Sequence, residues 1–204
     1  MLEISFMQLL VIITILWVLV RGFAAFRKKG IDWKRECLLL TVYICIVVVS
    51  RIVYFPWHLV DGHIGILRFD AEKILPFWIN FRPLTFLNER YHGWALNTYG
   101  NIAMFIPVGI FWGLCFKRLD NIFKVTLAGF GFSFLIEVSQ LLFYERSSDI
   151  DDLILNTTGA FIGALIYFSA VALIKRSKKN TVKDYRGKKI KEAFEKNREE
   201  FLIG

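Results

Sequence analysis

Leu153–Ile174 reads LILNTTGAFIGALIYFSAVALI, without one charged side chain. A helix rises about 1.5 Å per residue, so about 20 apolar residues cross the hydrocarbon of a bilayer. Inside lipid every backbone N–H and C=O must be paired within the segment, and a run apolar on all sides achieves that as a helix. A membrane β-strand would alternate apolar and polar residues instead. Four further runs of this kind occur, at about Ile4 to Phe23, Cys37 to Phe55, Leu96 to Phe116 and Ile122 to Phe143. The sequence therefore predicts an all-α, polytopic membrane bundle of about five transmembrane helices.

The rest of the composition agrees. Of 204 residues 55% are hydrophobic, and the mean hydropathy of +0.47 is far from the balance of a soluble domain. The first run lacks a cleavage-site pattern and reads as an uncleaved span. A net charge of +8 would suit nucleic acid only if it covered a globular surface. Here the charges gather in short segments between apolar runs and in the last thirty residues, which points to the membrane surface and away from nucleic acid. Cys37, Cys45 and Cys115 all fall in apolar segments, with neither metal spacing nor a disulfide framework. With no internal repeat or linker, residues 1–175 read as one membrane domain and 176–204 as a basic cytoplasmic tail.

Orientation follows from Lys and Arg. Arg27, Lys28, Lys29, Lys34 and Arg35 separate runs one and two; Lys117 and Arg118 separate runs three and four, with Lys124 just beyond; and Lys175–Gly204 holds eleven basic residues against five acidic ones. Placing all three inside puts the N-terminus outside and the C-terminus inside. Ile190, Ala193, Phe194 and Phe201 recur at near-helical spacing in the tail. That tail reads either as an amphipathic helix on the inner leaflet or as a solvated segment that only fixes topology.

The long outer connection, about Pro56 to Ala95, is aromatic-rich, and Pro76 and Pro83 prevent a long helix there. Irregular backbone this apolar must lie in the interface or be covered by the bundle. Charged and amide residues inside spans are costly and need a reason. Ser133, Glu137 and Gln140 share one face of the fourth run. A carboxylate at Glu137 cannot face lipid unless protonated or paired; neutral interhelical glue is the structural reading and a functional group the alternative. Between runs four and five, Glu145, Arg146, Asp149, Asp151 and Asp152 crowd a short loop. The aspartates suit either a hard cation such as Mg²⁺ or Ca²⁺ or the N-terminus of the fifth helix. Arg146 suits a neighbouring carboxylate or an anion such as a lipid phosphate.

Asn156 opens the fifth run, and Asn97 and Asn101 lie one turn apart near the start of the third. The acceptor pattern Asn156-Thr157-Thr158 sits in an apolar span, which argues against glycosylation. Gly159 with Gly163, and Gly109 with Gly113, are small-xxx-small pairs for close helix packing, and Pro107 should bend the third helix. Each feature has a structural explanation. Together, Asn97, Asn101, Glu137, Gln140, Arg146, Asp149, Asp151, Asp152 and Asn156 map to the outer third of the membrane, where spans three to five would gather them into a polar pocket.

Three blocks in order carry a family resemblance: Asn97-x₃-Asn101-x₅-Pro107-x-Gly109, Ser133-x₂-Ile136-Glu137-x₂-Gln140, and Arg146-x₂-Asp149-x-Asp151-Asp152-x₃-Asn156-x₂-Gly159. They resemble the signature of the VanZ-like membrane proteins over about residues 76–165. Ile79-Asn80-Phe81-Arg82-Pro83-Leu84 is similar to that family's N-x-x-P-F segment, with Leu84 in place of the usual Phe. The resemblance implies resistance to lipoglycopeptide antibiotics of the teicoplanin type, in the cell membrane of a Gram-positive bacterium. It supplies no residue roles.

Two mechanisms follow from the residues. In the first, Asn97, Asn101, Gln140, Asp151, Asn156 and Arg82 bind the antibiotic, its lipid tail or a lipid-linked cell-wall precursor. In the second, an enzyme acts on such a lipid: Glu137 is general acid or base, Arg146 holds a phosphate, and Asp149, Asp151 and Asp152 hold a divalent metal. A scaffold that recruits cell-wall enzymes is a third reading. His-Glu-x-x-His and Gly-x-Ser-x-Gly are both absent, and His58, His63 and His92 lack ligand spacing. Binding with no cofactor is therefore the first reading. A topology reporter fused after Arg176 is expected to read cytoplasmic and one near Ser147 is not; the reverse pattern would sink the orientation.

Overall fold

The computed structural model describes residues 2–55, 65–69, 78–88, 93–143 and 146–203, with 182–184 and 190–203 described as backbone alone. Pro76, Glu145, His58, His63 and His92 lie outside the described residues, as do the side chains of Ile190, Ala193, Phe194 and Phe201.

Five helices are long and apolar enough to cross a membrane. They are α1 (Phe6–Lys28), α2 (Trp33–Tyr54), α4 (Trp94–Cys115), α5 (Ile122–Gln140) and the start of α6 (Ile150–Ile203); α3 (Thr85–Asn88) is a single turn. Local chemistry sets where they start. Ser5 and Gln8 form a reciprocal capping box on α1, and Asp32 and Asn121 accept from Arg35 N and Lys124 N to open α2 and α5. Asp149 does the same for α6, its Oδ1 accepting from Asp151 N at 2.8 Å.

Hydropathy places the spans but not all of their ends. The fifth helix begins at Ile150, not near Leu153, so Asn156 lies in its second turn. The helix then continues unbroken to Ile203, well past the apolar run. Both differences have a physical source: a cap starts a helix whatever its polarity, and the Lys, Arg, Glu and Ala of the tail are good helix formers. The fourth helix stops at Gln140, a turn short of Phe143.

Side-chain contacts give the helix directions. Phe6 at the start of α1 meets Phe55 at the end of α2, with ring centroids 5.6 Å apart. Gln140 at the end of α5 reaches Val53, whereas Asn101 near the start of α4 meets Asp152 near the start of α6. The ends of α2 and α5 and the starts of α1, α4 and α6 therefore share one end of the bundle. Arg21 of α1 pairs with Glu36 of α2 at the other.

The core lies between α2, α4, α5 and α6, around Val49, Phe105, Val108, Ile136 and Ala160. Helix α6 packs chiefly on α4 and next on α5. Lipid is as apolar as leucine, so helices in a bilayer gain little from burying leucines and associate through close packing and polar contacts. Glycine supplies the closeness. A Cβ at Gly159 would lie 2.2 Å from Ile102 O, one at Gly163 2.1 Å from Ile106 O, and one at Gly109 2.2 Å from Ala160 O. Helix α1, by contrast, has no buried residue. Its start is tied by β1 (Leu2–Ile4), antiparallel to β2 (Leu67–Phe69), and by Arg51 over the Phe6 ring at 5.7 Å.

Gly159→Ala and Gly163→Ala are each expected to destabilise the protein by about 1–3 kcal/mol, the usual range for overpacking. Gly131→Ala, at a glycine with no neighbour within 4 Å of the added carbon, should leave stability near that of the parent. Thermal unfolding in detergent measures all three.

Candidate functional site

Four helices meet around a cavity of about 370 Å³. Asn97 and Asn101 come from α4, Glu137 and Gln140 from α5, Asp152 and Asn156 from α6, and Arg146 and Ser147 from the connection before α6. The end of α2 supplies Ile52 and Val53, followed by Phe55. Seven of the nine polar residues that the sequence assigned to a pocket thus line one space: Asn97, Asn101, Glu137, Gln140, Arg146, Asp152 and Asn156. Asp149 and Asp151 do not line it. Nor does Arg82, which is exposed and whose backbone N–H donates to Asn80 Oδ1 at 3.1 Å.

The polar face of α5 is buried along its length, with Ser133, Glu137 and Gln140 at 0%, 5% and 6% exposure. Glu137 accepts from the backbone N–H of Asp149 at 2.9 Å and from the Ser148 side chain. Asn156 donates from Nδ2 to Ser133 Oγ at 3.0 Å, and Gln140 from Nε2 to Val53 O at 3.4 Å. Each of these two amides keeps its oxygen, Asn156 Oδ1 and Gln140 Oε1, buried without a hydrogen-bond partner. Thr98 Oγ1 and Trp112 Nε1, in residues that do not line the cavity, are likewise buried without a hydrogen-bond partner.

The three aspartates divide into three tasks. Asp149 caps α6 and accepts from Asn80 Nδ2 at 3.1 Å. Asp151, 4% exposed, accepts from the backbone N–H groups of Leu84, Thr85 and Phe86 and from the Thr85 hydroxyl. Asp152 alone turns to the cavity, where Asn101 donates to its Oδ1 at 2.5 Å and Asn97 also bonds it. The three carboxylates thus bond different partners. Among the described residues, no three His, Cys, Asp or Glu side chains are arranged to hold a metal. Arg146 donates from Nη2 to Tyr54 O at 2.6 Å, which ties the loop to the end of α2.

Part of the long connection between α2 and α4 is a structural element. β3 (Ile79–Asn80) pairs in parallel with β4 (Ser148–Asp149), and Ser148 N donates to Trp78 O at 3.0 Å. Leu84 takes φ 64°, a left-handed conformation uncommon for a branched residue, and the Asp151 carboxylate gathers the amides on either side of it. Sequence reading missed this strand pair, because two-residue strands carry no periodicity. It also missed the contribution of α2, whose lining residues are apolar and look like any span. Arg51, Tyr54 and Phe55 crowding the end of that span were the one available signal.

Asp151→Ala is expected to strand the amides of residues 84–86, with a stability cost of about 1–3 kcal/mol. Hydrogen exchange should then rise at residues 84–88 ahead of the α4–α6 core, and unchanged protection there would refute the anchoring role.

Comparison with known proteins yields a family. A search of curated proteins and a search of solved structures each find no match. A model of the VanZ/LLP1 family matches residues 37–174, a longer span than the 76–165 of the motif blocks. It takes in α2, as the cavity does, and leaves out α1 and the extension of α6. With five helices able to span a membrane and a family match over well more than half its length, this chain is a multi-pass membrane protein of the VanZ/LLP1 family.

Proposed function

We propose that the protein binds the polar part of a lipid-linked envelope molecule, or of a lipoglycopeptide antibiotic, in the cavity between α2, α4, α5 and α6. Binding there lowers sensitivity to teicoplanin-type drugs. The carrying observation is the convergence of seven amide and charged side chains, Glu137, Arg146 and Asp152 among them, on one cavity between these helices. Polar groups are costly among membrane spans, and gathering them around one open space is what a site for a polar ligand requires. The apolar wall of Ile52, Val53, Phe55 and Leu96 suits the first methylenes of a lipid. The distribution of Lys and Arg supports an outer-face position for this end of the bundle. The drug class and the Gram-positive cell membrane rest on the family alone.

A second reading, an enzyme on a lipid-linked substrate, has one observation in its favour: Glu137 and Asp152 flank the same cavity as Arg146, a proton-transferring group beside a cation. Against it, Ser147 is the only hydroxyl among the described lining residues, and it is exposed on a loop. Binding accounts for the site with fewer parts.

Glu137→Gln and Asp152→Asn, expressed at parental levels in a susceptible host, are each expected to weaken binding about tenfold or more, as for loss of a charged hydrogen-bond partner. Teicoplanin susceptibility should return accordingly. Full resistance in both variants would remove the cavity from the function. Envelope lipids altered chemically by the parent protein, and not by Glu137→Gln, would favour the enzyme.

A further inference from the structure

The polar lining is unbalanced in a way that specifies the ligand. Among the described lining residues the charged groups are two carboxylates, Glu137 and Asp152, and one guanidinium, Arg146. If all three are ionised, these carboxylates outnumber the guanidinium, and a carboxylate removed from water is costly unless it is paired. The two buried amides add acceptors, not donors. Gln140 has its nitrogen on the Val53 carbonyl, which can only accept, so the end left over is the oxygen. Asn156 likewise has its nitrogen on Ser133 and its oxygen unmet.

The carboxylates are not saturated. A carboxylate offers about four lone-pair sites. Glu137 uses two, on Asp149 N and the Ser148 side chain, and Asp152 uses two, on Asn101 and Asn97. Spare acceptor capacity on two carboxylates that line one cavity is the complement of a compact group carrying several N–H donors.

We infer that the cavity recognises a primary ammonium group on the polar head of its ligand, held by Glu137 and Asp152. The inference rests on the binding function proposed above and names the chemistry of the ligand. An ammonium brings three donors and a point charge to a site short of both. A quaternary trimethylammonium has the charge without the N–H groups, and a neutral hydroxylated head has donors without the charge; neither meets the whole requirement.

Two sources can supply the group, an aminated lipid head or an amino sugar, and matched probes separate them. Full-length protein purified in detergent is titrated with short-chain phosphatidylethanolamine against short-chain phosphatidylcholine, and with glucosamine against N-acetylglucosamine, with bound ligand read by native mass spectrometry. The amine-bearing member of at least one pair is expected to bind about tenfold tighter than its partner, the margin of one charged hydrogen-bonded contact. The pair that discriminates identifies the source. Equal binding within both pairs, tighter binding of the blocked forms, or binding of none overturns the inference.

Glu137→Gln and Asp152→Asn should each erase the difference in affinity between the amine-bearing probe and its blocked partner. If a variant fails to fold, the parent protein's selectivity still decides. The two proposals fail separately. Loss of resistance in the variants without amine selectivity in the parent sinks only the ammonium reading. Resistance that persists in the variants sinks the cavity's role in resistance, whatever the probes show.

Discussion

Backbone lies against backbone where α6 crosses α4, because Gly109, Gly159 and Gly163 put no side chain between the helices. In a bilayer such contact replaces the hydrophobic drive that would hold a soluble core together. Much else follows from it. The same approach sets Asn101 opposite Asp152. Across the neighbouring seam, Asn156 of α6 meets Ser133 of α5, and an added Cβ at Gly129 would lie 2.4 Å from Ala160 Cβ. Bulk at these glycines would move the polar residues out of hydrogen-bond range as well as loosen the bundle.

The short acidic loop shows how one sequence motif separates into distinct tasks. Helix geometry turns successive residues by about 100°, so Asp149, Asp151 and Asp152 face different ways once α6 starts at Ile150. One caps the helix, one collects the amides around Leu84, and one faces the cavity. The strand pair of Ile79–Asn80 with Ser148–Asp149 then holds the segment before α3 beside the site. Structural and recognition roles are thus interleaved within four residues.

Much of the fold is legible in the chain alone, since the length and apolarity of the spans are enough to count helices in a membrane. Parts of the site are legible as well: Asn97, Asn101, Glu137, Gln140, Arg146, Asp152 and Asn156 announce themselves because polar groups in lipid are expensive. Where sequence falls short, the reason is local. Asp151 and Asp152 are chemically identical in sequence and differ only by rotation around the helix. Val53 matters through its carbonyl oxygen, which every residue possesses. Leu84 is an ordinary apolar residue whose importance lies in a backbone angle.

The sequence by itself determined that this chain is a five-helix membrane protein, which residues are costly enough to need a purpose, and the family to which they belong. Hydropathy, charge and motif spacing are properties of the chain read along its length. Only the tertiary structure decided that α2 completes the cavity, that the three aspartates bond different partners, and that Gln140 and Asn156 keep oxygens without partners. Those facts depend on which groups meet across helices, and hydrogen-bond pairing is settled by distance and direction in space, not by order in the chain.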